Sequence, residues 1–450
     1  MAEYSVPPRL FRLYKGGSVM SDKERSFQRA VTVSIIASQR EAEECERSLA
    51  ELSRLVDTAG GEVVASLVQV KDSFDPATCL GKGKVEELRS LAEHTDADLI
   101  VFDFELSPSQ IRNLEELTEV RVIDRTMLIL DIFALHAVTG EGKLQVELAI
   151  LRYTAPRLVG KGNELSRLGG GIGTRGPGES KLETDRRHIR RRIEALEAAI
   201  AEMEHTRQTM RAARERNRIP KIAIVGYTNA GKSTLLNRLT DAGVLSEDKL
   251  FATLDPTTRR LSLPEGEEVL LTDTVGLIRR LPHHLVKAFR STLDEASYAD
   301  ILLIVADASD DECAEHLKVT EELLSTLSAS DKPTLLVYNK CDLLPEEQRN
   351  ALVKKENTVF LSAKTGEGTG DLLSAILMLV QNGKKRVSLF FPYSDQGALS
   401  ALHKTASVES VEYEENGTAV TAVVDRHDLG LYRRYLVGED AKNAENEEEF

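Results

Sequence analysis

Tryptophan is absent from the 450 residues, and the four cysteines, Cys45, Cys79, Cys313 and Cys341, stand far apart. No C-x-x-C pair and no His-x-x-x-His spacing accompanies them, which argues against a disulfide framework and against structural zinc. No run of about 18 apolar residues occurs, so no helix is expected to cross a bilayer. The N-terminal stretch has neither an apolar h-region nor a small-residue cleavage site, which argues against export. These absences point to a protein of the reducing cytoplasm without integral membrane association. An excess of positive charge is also lacking. The net charge of −15 argues against blanket nucleic-acid affinity, and DNA is not an expected partner, but a local basic surface remains possible. The charged fraction of 29% and hydrophobic fraction of 41% are those of a globular chain, long enough for about two to four domains.

What is present is a phosphate loop. Residues 226–233 read GYTNAGKS and fit G-x-x-x-x-G-K-[ST]. The apolar run 222–225 before it reads as a buried strand, and residues 233–239 after it have helical spacing. Glycines at 226 and 231 permit the backbone angles that aim successive N–H groups at phosphate oxygens. The following helix N-terminus adds positive potential. Lys232 is placed to reach the β- and γ-phosphates, and Ser233 to ligate Mg²⁺. A glycine turn that happens to end in Lys-Ser is the bland alternative, and the motifs downstream weigh against it.

Those motifs follow in the order expected of a GTPase. Asp273-Thr274-Val275-Gly276 comes after an apolar strand, with Asp273 expected to hold Mg²⁺ through water and Gly276 to offer its N–H to the γ-phosphate. A loop anchored by that contact is released on hydrolysis, which makes a switch. Asn339-Lys340-Cys341-Asp342 follows the strand 334–338. The Asp342 carboxylate can accept both N–H groups of guanine's N1–N2 edge, a pair that adenine lacks. Asn339 would tie this loop to the phosphate loop, and the Lys340 stem would lie over the base. Ser362-Ala363-Lys364 follows the strand 359–361, with the Ala363 N–H facing guanine O6. Singly these motifs are weak; in order on successive strand ends they are specific.

The first switch must lie between the phosphate loop and D-x-x-G, where residues 251–258 read FATLDPTT. Thr253 is the candidate second protein ligand to Mg²⁺, with Thr257 and Thr258 as alternatives. The nucleotide contacts are thus expected from Gly226, Tyr227, Thr228, Asn229, Ala230, Gly231, Lys232, Ser233 and Thr234, and from Phe251, Ala252, Thr253, Leu254 and Asp255. The motifs at 273–276, 339–342 and 362–364 complete the set. Lys232, Thr253 and Gly276 are the candidate catalytic residues; Ser233, Thr253 and Asp273 are the candidate metal ligands. After Gly276 comes Leu277, which cannot orient water as the glutamine of small GTPases does, so slow intrinsic turnover is expected. The placement of Asn229 resembles that of GTPases that recruit K⁺ beside the phosphates, and a K⁺ ion near Asn229 is the second expected cofactor.

The remaining chain divides by pattern. Residues 1–28 lack periodicity and read as a loose arm. Residues 29–125 alternate strand and helix, including a helix from Pro108 with Ser107 as N-cap. That alternation implies a small α/β domain with a mainly parallel sheet. Its loop 75–84, rich in glycine and lysine before a helix, is a weak anion-site signal and reads first as a bare connector. Residues 126–218 read as helical, broken once. Leu144, Leu148, Leu151 and Ala155 on one side, and Ile189, Ile193, Leu196, Ile200 and Met203 on the other, repeat near a 3.5 period, which suggests two long helices packed as a hairpin. Between them residues 159–178 form a glycine-rich loop. Lys161, Arg167, Arg175, Lys181, Arg186, Arg187, Arg190 and Arg191 are the candidate RNA contacts, suited to reading phosphate and shape. A solvated helix face beside a plain linker is the alternative reading. Residues 219–383 form the P-loop domain, and 384–450 a small C-terminal domain ending in an acidic tail.

The full set resembles the HflX family of ribosome-associated translational GTPases over roughly residues 27–383. The resemblance rests on DPAT at 75–78, GKVEEL at 83–88, QVELA at 145–149, GGGIGTRGPGESKLETDRR at 169–187 and FATLDPTTR at 251–259. It implies binding of the large ribosomal subunit (its rRNA) and of 70S-type ribosomes. It also implies approach of the hairpin and glycine loop to the peptidyl-transferase region, and splitting of stalled or idle ribosomes under stress by the GTP form. The family's first-switch magnesium ligand falls on Thr253. The expected architecture is α/β: a P-loop GTPase domain with a mostly parallel sheet and helices on both faces. A small α/β domain and a long helical hairpin precede it, and a small α+β domain follows, in a monomer. The alternative function is a GTPase switch for a protein or membrane-associated partner, with the hairpin as a protein-binding arm.

Overall fold

The computed structural model describes residues 28–158, 177–215, 219–240, 249–251, 253–280, 282, 285, 295–353, 357–425 and 428–437. The arm, residues 159–176 of the glycine-rich loop and the acidic tail lie outside this set. So do Lys161, Arg167, Arg175 and Ala252, and the side chain of Lys181. Among the described residues no helix is long and apolar enough to cross a membrane.

The first sheet contains β1 (Gln28–Ile36), β2 (Gly61–Val70), β3 (Leu99–Phe102) and β4 (Arg121–Asp124), ordered β2-β1-β3-β4 and parallel throughout. Its strands are apolar on both faces because helices cover both. Ala30, Leu99, Val101 and Ile123 face one side, toward α1 (Ala42–Thr58) and α4 (Arg125–His136). Val31, Val33, Ile100, Phe102 and Val122 face the other, toward α2 (Lys82–His94) and α3 (Pro108–Thr118). Helix α1 buries Leu49, Leu52, Leu55 and Val56, a stripe at helical spacing. Helix α3 opens on Ser107 in a reciprocal capping box with Gln110, with Pro108 in its first turn.

The helical region differs from one hairpin of two long helices. Helix α4 ends at His136, and α5 (Gly140–Thr154) begins after a second break, where the Thr139 side chain accepts the Gly142 N–H. Both helices pack into the first domain: Leu128, Ile129, Ile132 and Phe133 from α4, and Val146, Ala149, Ile150 and Tyr153 from α5, share one core with β1, β3 and α1. The long partner is α6 (Pro177–Glu215), 39 residues against 15 in α5. Ion pairs knit the two: Arg192 with Glu147, Arg152 with Glu197, and Arg207 with Glu141. Leu196 is buried in the seam, whereas Met203 lies 38% exposed.

The central sheet runs β10-β9-β8-β5-β7-β6. Its strands are β5 (Lys221–Gly226), β6 (Thr257–Ser262), β7 (Glu268–Asp273), β8 (Ile301–Asp307), β9 (Thr334–Asn339) and β10 (Thr358–Phe360). All pairs are parallel except the edge pair β6–β7. Ile222, Ile224, Leu303 and Val337 meet α7 (Lys232–Thr240) and a later helix, Thr369–Asn382; Ala223, Val225, Ile304 and Tyr338 meet α8 (Cys313–Thr326) on the opposite face. The short helix α9 (Glu346–Ala351) precedes β10, which makes Thr369–Asn382 α10. The last sheet is antiparallel, β11 (Lys384–Pro392), β13 (Gly417–Asp425) and β12 (Ser407–Glu414). Leu399 and Leu402 of α11 (Gln396–Thr405), with Tyr432 and Tyr435, fill its core.

Candidate nucleotide-binding site

The carboxyl ends of β5, β7, β9 and β10 converge on one cleft, where open parallel sheets bind ligands. The loop between β5 and α7 forms its floor. Gly226, at φ 151°, runs so close to β8 that a Cβ there would sit 2.1 Å from the Val305 carbonyl oxygen; one at Gly231 (φ 90°) would sit 2.2 Å from Asn339 Nδ2. Asn229 takes the left-handed conformation at φ 62°, which asparagine tolerates better than most side chains. Lys232, only 6% exposed, donates to the Gly226 and Tyr227 carbonyls at 3.0 and 2.7 Å. Burial pulls its pKa down to about 8, against the opposing charge of Asp273.

The D-x-x-G segment is stitched to this floor. The Thr228 N–H donates to the Leu277 carbonyl (2.8 Å), and the Leu277 N–H to the Gly226 carbonyl (3.1 Å). Gly276 therefore passes the floor with no room for a side chain: a Cβ would lie 2.6 Å from Thr228 Cγ2 and 3.2 Å from Lys232 Nζ. Thr274 turns inward and donates to the Ile224 carbonyl, and Val275 is buried.

The three candidate metal ligands come together. Ser233 Oγ lies 2.7 Å from Thr253 Oγ1 and donates to Asp273 Oδ2 at 2.6 Å. Asp273 is fully buried, and burial pushes its carboxyl up against the pull of Lys232 and of the hydrogen bonds from Ser233 and Thr253. Its second oxygen, Oδ1, and the buried Thr228 Oγ1 have no hydrogen-bond partner among the described residues. A buried carboxylate with an orphaned acceptor, flanked by two hydroxyls, is an all-oxygen donor set that suits a hard divalent cation. Among the described residues neither Thr257 nor Thr258 joins these hydrogen bonds. Both belong to β6, Thr257 opposite Asp273 in the ladder and Thr258 hydrogen-bonded through Oγ1 to Thr272.

At the other end of the cleft, Asn339 uses its whole amide. Nδ2 donates to the Ala230 carbonyl (2.8 Å), and Oδ1 accepts the Ala363 N–H (2.9 Å). One side chain thus locks three motif loops together. The Ala363 N–H, expected to face a base oxygen, is spent inside this lock. Lys340 is left-handed at φ 61°, and its ammonium pairs with Asp307 at 2.7 Å. Asp307, at the end of β8, is a site residue that no sequence motif marks. Cys341 is buried with its thiol directed at the Tyr338 carbonyl, Ser362 is buried and accepts the Thr365 N–H, and Asp342 and Lys364 are exposed.

The first switch faces the N-terminal half of the chain. Phe251 meets Phe133 edge-on at 4.8 Å, and Leu254, Leu277 and Ile278 bury into the core shared with α1, α4 and α5. Asp255, expected among the nucleotide contacts, directs its carboxylate to the start of α5. Tyr227 also looks that way. Its hydroxyl donates to Glu51 and accepts the Arg279 N–H at 2.8 Å, and its ring stacks on His316 at 3.7 Å. Burial, then the Glu51 charge, raise the Tyr227 pKa and keep the phenol neutral. Glu51 also pairs with the buried Arg125, which bonds Asp103 at 2.9 Å; Arg280 reaches both Asp103 and Glu44. Removing one member of this network would strand a buried charge. Lys249 lines the phosphate end of the cleft beside Phe251, another residue outside the motifs.

Three family profiles match consecutive stretches. Residues 46–134 match one described as the N-terminal part of a GTP-binding GTPase, and residues 136–214 one described as its middle region. Residues 221–340 match one described as a 50S ribosome-binding GTPase. The protein named GTPase HflX of Caldanaerobacter subterraneus subsp. tengcongensis is 50% identical over 423 residues, 94% of this chain and 96% of that protein. The GTPase HflX of Lacrimispora saccharolytica is 50% identical over 88% of this chain and 93% of its own length. That of Escherichia coli is 43% identical over 89% and 94%. Identity at this level across nearly whole chains, on a fold with a complete P-loop, D-x-x-G and N-K-x-D cleft, places the chain in the HflX family of GTPases, enzymes that hydrolyse GTP.

Proposed function

We propose that the chain is a cytoplasmic, monomeric, Mg²⁺-dependent GTPase that binds the large ribosomal subunit and 70S-type ribosomes in its GTP state and separates the subunits of stalled or idle ribosomes under stress. Hydrolysis to GDP and phosphate then permits release. The hydrolytic part is carried by the meeting of Ser233, Thr253 and Asp273 beneath Lys232. Ser233, Thr253 and Asp273 would hold Mg²⁺, which when bound neutralises charge on the β- and γ-phosphates. Lys232 supplies the fixed cation at the γ-phosphate, and Gly276 leaves its N–H free of side-chain obstruction toward it. Asp342 selects guanine through its N1–N2 edge.

The ribosomal part draws on the family and on one surface. Arg186, Arg187, Arg190 and Arg191 on α6 are exposed, at i, i+3 and i+4 spacings that set them on one side of the helix. Arg192 belongs to the opposite, protein-facing side through its Glu147 pair. With Lys161, Arg167, Arg175 and Lys181 in and beside the glycine loop, this surface would follow an rRNA backbone. Phosphate contacts release counterions, so co-sedimentation with large subunits should weaken about 10-fold or more between 50 and 200 mM salt. Binding indifferent to salt would instead favour a protein partner for the arm.

A K⁺ ion beside Asn229 and the phosphates completes the proposal. Leu277 is buried in the interdomain core and offers no group to orient water, so the monovalent cation would supply part of the missing charge stabilisation. GTP turnover in KCl is expected to exceed that in NaCl by about 10-fold; equal rates would exclude the site.

A further inference from the structure

We propose that Asp255 is a positioning residue that caps helix α5 from the first switch, so that the Thr253 loop and the helical arm move as one unit; its consequence for ribosomes rests on the function proposed above. Asp255 follows Thr253 by two positions, yet both of its carboxylate oxygens are used at the start of α5. Oδ2 accepts the Val138 and Thr139 N–H groups, each at 2.8 Å, and Oδ1 accepts the Thr139 hydroxyl. That hydroxyl in turn accepts the Gly142 N–H at 3.0 Å. The first N–H groups of a helix have no acceptor within it, and a negative charge there is favoured by the helix dipole. The Gly142 N–H of the helix is capped locally by Thr139, and Asp255, more than 100 residues away in the chain, holds that capping residue and brings a negative charge to the same end.

Gly142 shows how closely the two segments fit. A Cβ at this position would fall 2.3 Å from Asp255 Oδ1. Two further contacts hold the same stretch: Phe251 against Phe133 of α4, and the Leu250 N–H on Thr58 Oγ1 at the end of α1. From the cap the connection continues outward. Glu141, in the first turn of α5, pairs with Arg207 of α6, and Glu147 one turn and a half later pairs with Arg192.

The cap is formed in the same conformation in which Thr253 touches Ser233. It therefore favours the closed loop, the form that a γ-phosphate would require. When Thr253 withdraws, either the first turn of α5 follows or the cap breaks. Linkage makes the effect reciprocal: what steadies the arm tightens the GTP form, and GTP steadies the arm.

The test uses the full chain, two disrupting variants outside the nucleotide cleft and one conservative control. Thr139→Val removes the hydroxyl, and Gly142→Ala drives a methyl against Oδ1 while improving helix propensity. Each is expected to lower the affinity for a non-hydrolysable GTP analogue by about 5- to 20-fold relative to GDP, with GDP affinity itself held within about threefold. Thr139→Ser, which keeps the hydroxyl, should retain the parent ratio. A purely structural cap would shift both affinities together. In the parent, amide exchange at residues 138–143 should be slower with the analogue than with GDP. An unchanged affinity ratio in both variants, or exchange blind to the nucleotide, overturns the proposal. Nucleotide-dependent exchange without any response to large ribosomal subunits would support the coupling and count against the ribosomal function alone.

Discussion

Replacing Lys232 with alanine is expected to lower kcat/KM for GTP by about 10³-fold or more, on the scale of losing a preorganised charge at the transferring phosphoryl group. The size follows from the burial of the side chain. Its ammonium is held by the Gly226 and Tyr227 carbonyls in a pocket where Asp273 is the facing charge. An anion entering there meets a cation that water screens poorly. Lys232→Arg should not rescue the rate. The space beside Nζ is closed by the Gly276 backbone, where even an added Cβ would come within 3.2 Å, and a planar guanidinium is wider than an ammonium. Steady-state turnover, with fluorescent GDP binding as a check on folding, measures both. More than a tenth of the parent rate in Lys232→Ala would remove this residue from the chemistry.

Asp342→Ala should have the second-largest effect, and on a different quantity. The carboxylate sits exposed on the turn that follows Lys340, and that turn is fixed by the Lys340–Asp307 pair and by the Asn339 lock on the neighbouring loops. Two hydrogen bonds to a charged acceptor are each worth about 1.5–3 kcal/mol. Their loss predicts a fall in GTP affinity of roughly 10²- to 10⁴-fold. ATP, which lacks the donor pair, should bind the variant as it binds the parent. Competition binding with both nucleotides reads the ratio. A parallel loss for ATP would mean that Asp342 supports the loop and does not select the base.

The parts of this site that were legible in the sequence are those where neighbours in the chain are neighbours in space. The phosphate loop, Asp273, the N-K-x-D turn and the Ser107 cap each depend on residues within a few positions of one another. The alternation of strands and helices from β1 to β4 is legible for the same reason: each element carries its own period. The edge strand β6 is harder to read. Its six residues expose Thr258, Arg259, Arg260 and Ser262, and only Leu261 is fully buried, so the run 251–262 lacks the alternation that would separate a loop from a strand. That is why Thr257 and Thr258 stay open beside Thr253 in the sequence, whereas in the structure it is Thr253 that meets Ser233.

Least legible are the contacts that join the two halves. Glu51 and Tyr227 are 176 residues apart, and Asp255 and Thr139 are 116 apart. Tyr227 and Asp255 lie in motifs, but their partners Glu51 and Thr139 do not, and an aspartate in a switch reads naturally as a nucleotide contact. The same blindness hides the break between α4 and α5. Its N-cap hydroxyl is local, but the carboxylate that completes it comes from another domain. Periodicity sees the apolar seam of α5 and α6; it does not see that the other side of α5 is buried in the first domain's core.

The most direct test of the ribosomal reading is GTP turnover in K⁺ buffer with and without purified large ribosomal subunits. Stimulation of about 10-fold or more is expected, as switch GTPases respond to the partner that completes their site, and it should be lost when residues 159–178 are deleted. Sound GTP binding with no response to the subunits would contradict the reading and leave the arm to a protein partner.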